Sequence, residues 1–189
     1  MRRLALTALT LTAALWPAAA FAQTGTPTST AAKTCTLTPA ETEGPYYTAG
    51  APAKSNLAQG VKTGTPLTVT GQVLDQNCQP LKGATVDVWQ ADAQGQYDNS
   101  GYTLRGKVTT DAQGRYTFQT VVPGQYPGRT PHIHVKVTAP GGRTLTTQLY
   151  IPGLTSNARD GIYQVQMQLQ NYKVSGGQAA ANYIFVVQQ

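Results

Sequence analysis

The sequence contains only two histidines, and they lie one residue apart in the segment 129–134, RTPHIH. Side chains alternate between the two faces of a β-strand, so His132 and His134 project to the same side if this segment is a strand. Ile133 and the two valines that follow at every second position then form an apolar face opposite the imidazoles. Two adjacent neutral imidazoles can supply half of a metal site. The alternative is a pair of strand histidines in a polar hydrogen-bond network.

The remaining metal ligands are sought among residues near this pair. No Asp or Glu lies between positions 129 and 151, which disfavours an Fe(II) site of two histidines and one carboxylate. Tyr126 precedes His132 by six residues in a turn rich in Pro and Gly, and Tyr97 follows the end of a predicted strand. A trivalent cation stabilises phenolate oxygen, so two phenolates and two imidazoles suit Fe(III). The alternative is ordinary amphipathic packing, the default for most of the ten tyrosines.

Alternating, strand-type patterns position these residues. They cover Leu67–Val73, Thr85–Trp89, Tyr116–Val121, Thr144–Ile151 and Tyr183–Val187, in addition to the histidine segment. Turn-forming residues separate them, and no segment has a sustained helical period, although residues 156–174 are ambiguous. Several short strands joined by turns and long loops predict an all-β fold, a single-domain antiparallel β-sandwich with long active-site loops.

The first residues are typical of a signal peptide. A basic start is followed by an apolar run from Leu4 to about Trp16 and by small residues around Ala22. We therefore expect residues 1–22 to be a signal peptide, residues 23–34 a flexible linker and residues 35–189 the folded domain. This predicts export to the periplasm or the medium, with no membrane association after cleavage, because no other stretch reaches transmembrane length.

Export places Cys35 and Cys78 in an oxidising compartment. Only one intramolecular disulfide can form from two cysteines, and it would attach the N-terminal arm to the first strands. The alternative is two free thiols.

The charge pattern limits the class of partner. The formal net charge is +6, but two of the arginines lie in the predicted signal peptide and the remaining basic residues are dispersed. Nucleic-acid binding is therefore not expected, whereas a small anionic substrate fits the weakly basic balance.

Several motifs together resemble the intradiol ring-cleavage dioxygenases, the family that includes protocatechuate 3,4-dioxygenase and catechol 1,2-dioxygenase. The matching segments are Glu43–Tyr47, Val86–Asp92 with Gly95–Tyr97, Thr110–Tyr116, Pro123–Pro127, Arg129–Val135 and Leu145–Tyr150. They follow the order of the family over nearly all of the chain after the signal peptide. The most specific of them is Tyr-x5-His-x-His with its preceding arginine.

The resemblance implies a cofactor, a ligand set and a reaction. Tyr97, Tyr126, His132 and His134 correspond to the family's Fe(3+) ligands. The substrates are a catechol-type aromatic compound and O2, and both oxygen atoms enter between the two hydroxyl-bearing carbons to give a cis,cis-muconate. Tyr126 is implied as the tyrosine that the bound substrate displaces, and Tyr97 as the one that stays.

Three further residues match pocket positions of the family. Arg129 is implied in catalysis and substrate binding, since a guanidinium stabilises negative charge without donating its proton. The alternative for Arg129 is a surface contact to an anion. Gln148 is implied in catalysis, where it orients a ligand or substrate oxygen, and its alternative is ordinary strand polarity. Tyr46 is implied in lining the substrate cavity.

The chain departs from its larger relatives. It has only a short arm where catechol 1,2-dioxygenases carry a helical dimerisation region, so it is most similar to compact exported members, and monomer and homo-oligomer both remain open. The main rival is a non-catalytic prealbumin-like or carboxypeptidase-regulatory-like binding module, which shares the patterns at 71–75, 83–86 and 111–116. A zinc or copper site for another reaction is a third possibility. The combined Tyr, His and Arg set favours the dioxygenase.

Overall fold

A computed structural model of the protein describes residues 34–189. The predicted signal peptide and residues 23–33 of the predicted linker lie outside the described residues. The elements are β1 (Pro66–Asp75), β2 (Thr85–Gln90), β3 (Arg105–Thr109), β4 (Arg115–Val121), β5 (His132–Thr138), β6 (Thr144–Tyr150), two 3-10 helices (Asn157–Arg159 and Val165–Met167), β7 (Gln170–Ser175) and β8 (Gln178–Val187). Within this range, no helix has the length and apolar character needed to cross a membrane.

The strands form two four-stranded sheets, ordered β4-β1-β8-β7 and β3-β2-β5-β6. This confirms the predicted β-sandwich. One pair differs from the antiparallel prediction, since β1 and β8 are parallel, with Leu67 opposite Ala179. Parallel neighbours require a long crossover rather than a tight turn, and β8 reaches β1 only after the chain has completed the other sheet.

The apolar faces of the two sheets pack against each other. Ile133, Val135 and Val137 of β5 are fully buried in this core, as their alternation predicts. Val69 of β1 and Phe118 of β4 are fully buried from the opposite sheet. The histidines of β5 therefore lie on the outer face of the sheet β3-β2-β5-β6.

The register of the strands aligns four large side chains across that outer face. Arg105, Trp89, His134 and Gln148 form one row across β3, β2, β5 and β6. The N-terminal arm, residues 34–52, covers this row, and its backbone accepts a hydrogen bond of 2.9 Å from the Gln148 side chain through the Thr42 carbonyl. The covering arm leaves His134 only 1% exposed.

The sequence patterns missed two strands. β3 is only five residues long and contains a glycine, and β7 is an exposed strand at the edge of its sheet with mostly polar side chains. Neither segment has an apolar face of its own, so backbone pairing with β2 and β8 forms them. The ambiguous segment 156–174 contains both 3-10 helices and most of β7.

Cys35 and Cys78 form a disulfide that ties the arm to the turn after β1. We expect the double variant Cys35→Ser/Cys78→Ser to lower the free energy of unfolding. The two cysteines are 43 residues apart in sequence, and the chain-entropy relation gives about 4 kcal/mol for a closed loop of that size. Urea unfolding measures the loss, and a reductant should lower the wild-type midpoint without changing that of the variant. Equal midpoints for the two proteins would contradict a stabilising disulfide.

Candidate metal centre

His132 and His134 bring two ring nitrogens to one point. Their Nε2 atoms are 3.0 Å apart. Nδ1 of His132 lies 2.6 Å from the Thr130 carbonyl, which can only accept, so Nδ1 carries the proton and Nε2 presents its lone pair. Burial, followed by the charge of Arg129, lowers the pKa of His132 to about 4. Burial, followed by His132, holds the pKa of His134 well below 6.5, so both rings are neutral at pH 7, the form that binds metals.

Trp89 holds the second imidazole in place. The indole stacks on His134 with ring centroids 4.8 Å apart and an interplanar angle of 9°. The register of β2 and β5 places the two residues directly opposite each other. Trp89 is not among the predicted site residues, although strand alternation already places it on the face opposite the core valines Val86 and Val88.

Tyr97 and Tyr126 lie on two turns that contact each other through their backbones. A Cβ atom on Gly95 would lie 2.3 Å from the carbonyl oxygen of Gln125 in the second turn. A Cβ atom on Gly124 would in turn lie 2.4 Å from a backbone oxygen of the first turn. Only glycine permits this approach, and the approach brings the two tyrosines together.

The four predicted ligands are neighbours in the structure. The Tyr126 ring lies 5.5 Å from the His132 ring and 5.8 Å from the Tyr97 ring, and the Tyr97 ring lies 6.3 Å from the His134 ring, measured between centroids. The Tyr97 hydroxyl is buried without a hydrogen-bond partner among residues 34–189. Burial, then the neighbouring Tyr126, raise the pKa of Tyr97 above 10.0.

This donor set fits a ferric ion. A buried phenol oxygen without a partner is costly, and a bound cation would both satisfy it and favour its anionic form. Within residues 34–189, no group of three or more His, Cys, Asp or Glu side chains is placed to hold a metal, and Tyr97 and Tyr126 are the oxygen donors whose rings lie next to the histidines. Two imidazoles with two phenolates match the preference of Fe(III) for hard anionic donors.

Arg129 lies beside these donors, held by three partners. Its Nη1 is 3.4 Å from the Tyr126 hydroxyl, its Nη2 donates to Oε1 of Gln148 at 2.5 Å, and its Nε donates to Oδ2 of Asp160 at 3.0 Å. Burial lowers the pKa of Arg129, but the hydrogen bond and charge of Asp160 outweigh burial and raise it. The guanidinium is thus a permanent positive charge in a fixed orientation, which is not expected of a surface contact to an anion.

Gln148 and Tyr46 also reach the centre. Gln148 is fully buried, and its side chain bridges Arg129 and the arm, which goes beyond ordinary strand polarity. Tyr46 comes from the arm and stacks on Tyr97 with centroids 4.3 Å apart. Its ring also meets the ring of Tyr126 edge-on at 5.9 Å.

Asp160 is a site residue that sequence reasoning missed. Its side chain is 1% exposed, and its Oδ2 accepts from both Arg129 and the amide of Thr130, at 3.0 and 2.9 Å. It follows Arg129 by 31 residues, beyond the reach of any local pattern. The apparent lack of carboxylates around the histidines therefore holds for the sequence neighbourhood but not for the folded site.

We expect Asp160→Asn to lower the free energy of unfolding by about 2–4 kcal/mol at pH 7, because Arg129 loses its buried counter-charge. Burial raises the pKa of Asp160, but hydrogen bonds from the Thr130 and Ile162 amides and from Arg129 outweigh burial and keep it below 3.8. The carboxylate therefore contributes its full stabilisation above about pH 4 and loses it as pH falls through the folded-state pKa.

Urea unfolding of wild type and Asp160→Asn between pH 3 and 8 tests this prediction. The difference between the two proteins should be constant from about pH 5 to 8 and shrink below about pH 4. Glu43→Gln is the matched control, since the exposed Glu43 side chain forms an ion pair with Lys136 at the surface and should matter little. A difference that stays constant down to pH 3 would contradict the assigned role of the Asp160 charge.

The fold is a β-sandwich that carries a candidate metal centre on the outer face of the sheet β3-β2-β5-β6. A family model described as Dioxygenase matches residues 42–187. The chain belongs to the intradiol ring-cleavage dioxygenase family, which confirms the resemblance noted in the sequence.

Known relatives agree with this assignment. The chain is 38% identical over 142 residues to catechol 1,2-dioxygenase 2 of Acinetobacter lwoffii, an alignment that covers 61% of this chain and 52% of the relative. The chain thus spans about half the length of the curated relatives it matches.

Two solved structures are similar over nearly their whole length. The dioxygenase domain of a dioxygenase carbohydrate-binding fusion from Streptomyces sp. SirexAA-E has a TM-score of 0.78 and 42% identity, covering 81% of this chain and 99% of that one. An intradiol ring-cleavage dioxygenase from Tetranychus urticae has a TM-score of 0.73 and 28% identity, covering 82% and 95%.

Proposed function

We propose that this protein is a non-haem, Fe(III)-dependent intradiol dioxygenase. It would insert both atoms of O2 between the hydroxyl-bearing carbons of a catechol-type substrate and form a cis,cis-muconate-type product. The observation that carries the proposal is the clustering of the four rings of Tyr97, Tyr126, His132 and His134, together with a buried Tyr97 hydroxyl that has no hydrogen-bond partner among residues 34–189. A non-catalytic binding module has no need of such a set.

The four donors would hold the iron, and the neutral state of both imidazoles leaves their nitrogen lone pairs free for it. When bound, ferric iron would supply Lewis-acid chemistry, holding and polarising the two oxygens of a catechol. The arm covers the row of side chains that carries His134, and this limits the access of water to the centre.

Residues next to the donors have separate roles in this proposal. As the phenolate that a bound cation would favour, Tyr126 could accept a proton from a substrate hydroxyl and become a neutral phenol, and the Arg129 guanidinium beside it would stabilise the phenolate beforehand. Arg129 stabilises the negative charge that develops on the ring and keeps its own proton. Gln148 and Asp160 fix the orientation of Arg129. The ring of Tyr46 forms a wall against which an aromatic substrate can pack.

Metal analysis, a visible spectrum and oxygen uptake test the proposal on the purified protein. We expect one iron per chain, a tyrosinate-to-iron absorption band, and O2 consumption with at least one member of a panel of catechol, protocatechuate, hydroxyquinol and chlorinated catechols. With 18O2, both labelled atoms should appear in the ring-opened acid. A colourless protein that remains inert after ferric loading would instead support a binding module, and zinc or copper in the isolated protein would support the third possibility.

Export is also proposed, with residues 1–22 removed and the remaining chain located in the periplasm or the medium. The basic and apolar pattern of the first residues supports it, as does the Cys35–Cys78 disulfide, because such bonds persist in oxidising compartments. Mass spectrometry of protein from a periplasmic extract should find a chain that begins at Gln23. Intact chains confined to the cytoplasmic fraction would contradict export.

A further inference from the structure

A second arginine, Arg105, lies beside the candidate metal centre at the start of β3, and unlike Arg129 it is fully buried. It is 1% exposed, yet none of the ion pairs among residues 34–189 includes it. Its Nε donates to the carbonyl of Asp98 at 2.9 Å and its Nη1 to the carbonyl of Tyr46 at 2.6 Å. Its Nη2 is buried without a partner in the same range.

These two carbonyls belong to segments that face each other across the site. Asp98 directly follows Tyr97 in the chain, and Tyr46 stacks on Tyr97 with an interplanar angle of 17°. The Arg105 guanidinium lies 5.9 Å from the centroid of the Tyr97 ring, within the range of a cation–π contact. One side chain therefore touches the tyrosine, its chain neighbour and its stacking partner.

The chemistry of arginine suits a clamp, by which we mean the Arg105 side chain holding the Asp98 and Tyr46 carbonyls together. A guanidinium is planar and presents its donors in a rigid fork, so it can hold two carbonyl groups at a fixed separation, whereas the flexible ammonium of lysine cannot. A buried cation without a carboxylate is also costly. An apolar side chain would fill the same space at lower cost if Arg105 only had to pack.

We infer that Arg105 is a positioning residue that sets the placement of Tyr97 relative to Tyr46. In this role Arg105 aims the Tyr97 hydroxyl at the metal position and holds the Tyr46 ring as the wall of the substrate cavity. The inference rests on the proposed function. Its role differs from that of Arg129, whose contacts are with Tyr126, Gln148 and Asp160.

The variants Arg105→Met and Arg105→Lys test the inference, with Arg115→Met as the control because Arg115 is an exposed arginine of β4. We expect Arg105→Met to weaken ferric binding by about 10–100-fold, the range for residues that orient metal ligands. The tyrosinate-to-iron band should shift, KM for the catechol should rise, and the near-ultraviolet circular dichroism of the metal-free protein should change as Tyr46 and Tyr97 separate. Arg105→Lys should give intermediate values, and Arg115→Met should match wild type.

The outcomes separate the clamp from a purely structural role. If Arg105→Met only lowers the unfolding temperature, and its ferric affinity, band and KM equal those of wild type, the inference is overturned. If Arg105→Met does not fold, the same comparison is made with Arg105→Lys, and wild-type values there overturn the inference. A wild-type protein that binds no ferric iron overturns the proposed function together with the inference. Ferric binding by wild type with unchanged Arg105 variants overturns the inference alone.

Discussion

Tyr97→Phe is expected to abolish ring cleavage and to weaken ferric binding by roughly 100-fold or more, since a lost ligand exceeds the effect of a lost orienting partner. The same change should leave the metal-free fold as stable as wild type or slightly more stable. The Tyr97 hydroxyl is buried and has no hydrogen-bond partner in the described structure. Its removal therefore breaks no hydrogen bond and removes a buried polar atom that is costly to leave unsatisfied. A change that spares the fold but removes metal binding is the mark of a ligand.

Urea unfolding of the metal-free protein, ferric titration and oxygen uptake measure the three parts of this prediction. Tyr102→Phe is the matched control, because the Tyr102 hydroxyl lies outside the donor set and donates to the Ala49 carbonyl at 2.9 Å. This control should keep iron, colour and turnover. Full turnover and unchanged colour in Tyr97→Phe would remove Tyr97 from the ligand set.

Arg129→Lys is expected to lower kcat/KM by about 10²–10³-fold, which corresponds to about 3–4 kcal/mol of transition-state stabilisation. Arg129 reaches Tyr126, Gln148 and Asp160 with different nitrogens of one planar group. A lysine keeps the positive charge and can reach one or two of these atoms, but its single ammonium nitrogen cannot donate to all three in the fixed planar geometry of the guanidinium. The loss should appear mainly in kcat, since the charge is needed most where negative charge develops on the ring.

Steady-state oxygen uptake with the preferred catechol measures this loss. Arg115→Lys, a change at an exposed ion pair, provides the matched control and should leave kcat/KM unchanged. In a double-mutant cycle, Arg129→Lys and Asp160→Asn should be clearly non-additive, because the two side chains contact each other. A kcat/KM for Arg129→Lys within twofold of wild type would rule out a catalytic role for the guanidinium.

Much of the site could be predicted because its main parts are local in sequence. The alternation in β5 places both histidines opposite a core face of Ile133 and its neighbours, and a strand has no other way to bury that face. The turn that carries Tyr126 is joined to Arg129 by a backbone hydrogen bond of 3.1 Å, so these two side chains meet at short range. Such contacts follow from backbone geometry alone.

Other parts depend on contacts between segments that are distant in the chain. Trp89 reaches His134 through the register of β2 and β5, and Asp160 reaches Arg129 from the segment after β6. Arg105 is the first residue of a short strand, β3, that has no alternating pattern to indicate its position. Their positions depend on the pairing of whole strands and on loop packing, which no local period encodes.

By itself, the sequence determined the types of donor, their order and the face of the strand from which the histidines project, since residue chemistry and two-residue alternation are local properties. Only the tertiary structure decided that this face is closed by the arm, that the two glycine turns bring Tyr97 and Tyr126 into contact, and that Asp160 and Arg105 lie beside these side chains. The reason is physical: burial and the pairing of buried charges arise only when distant segments exclude water together.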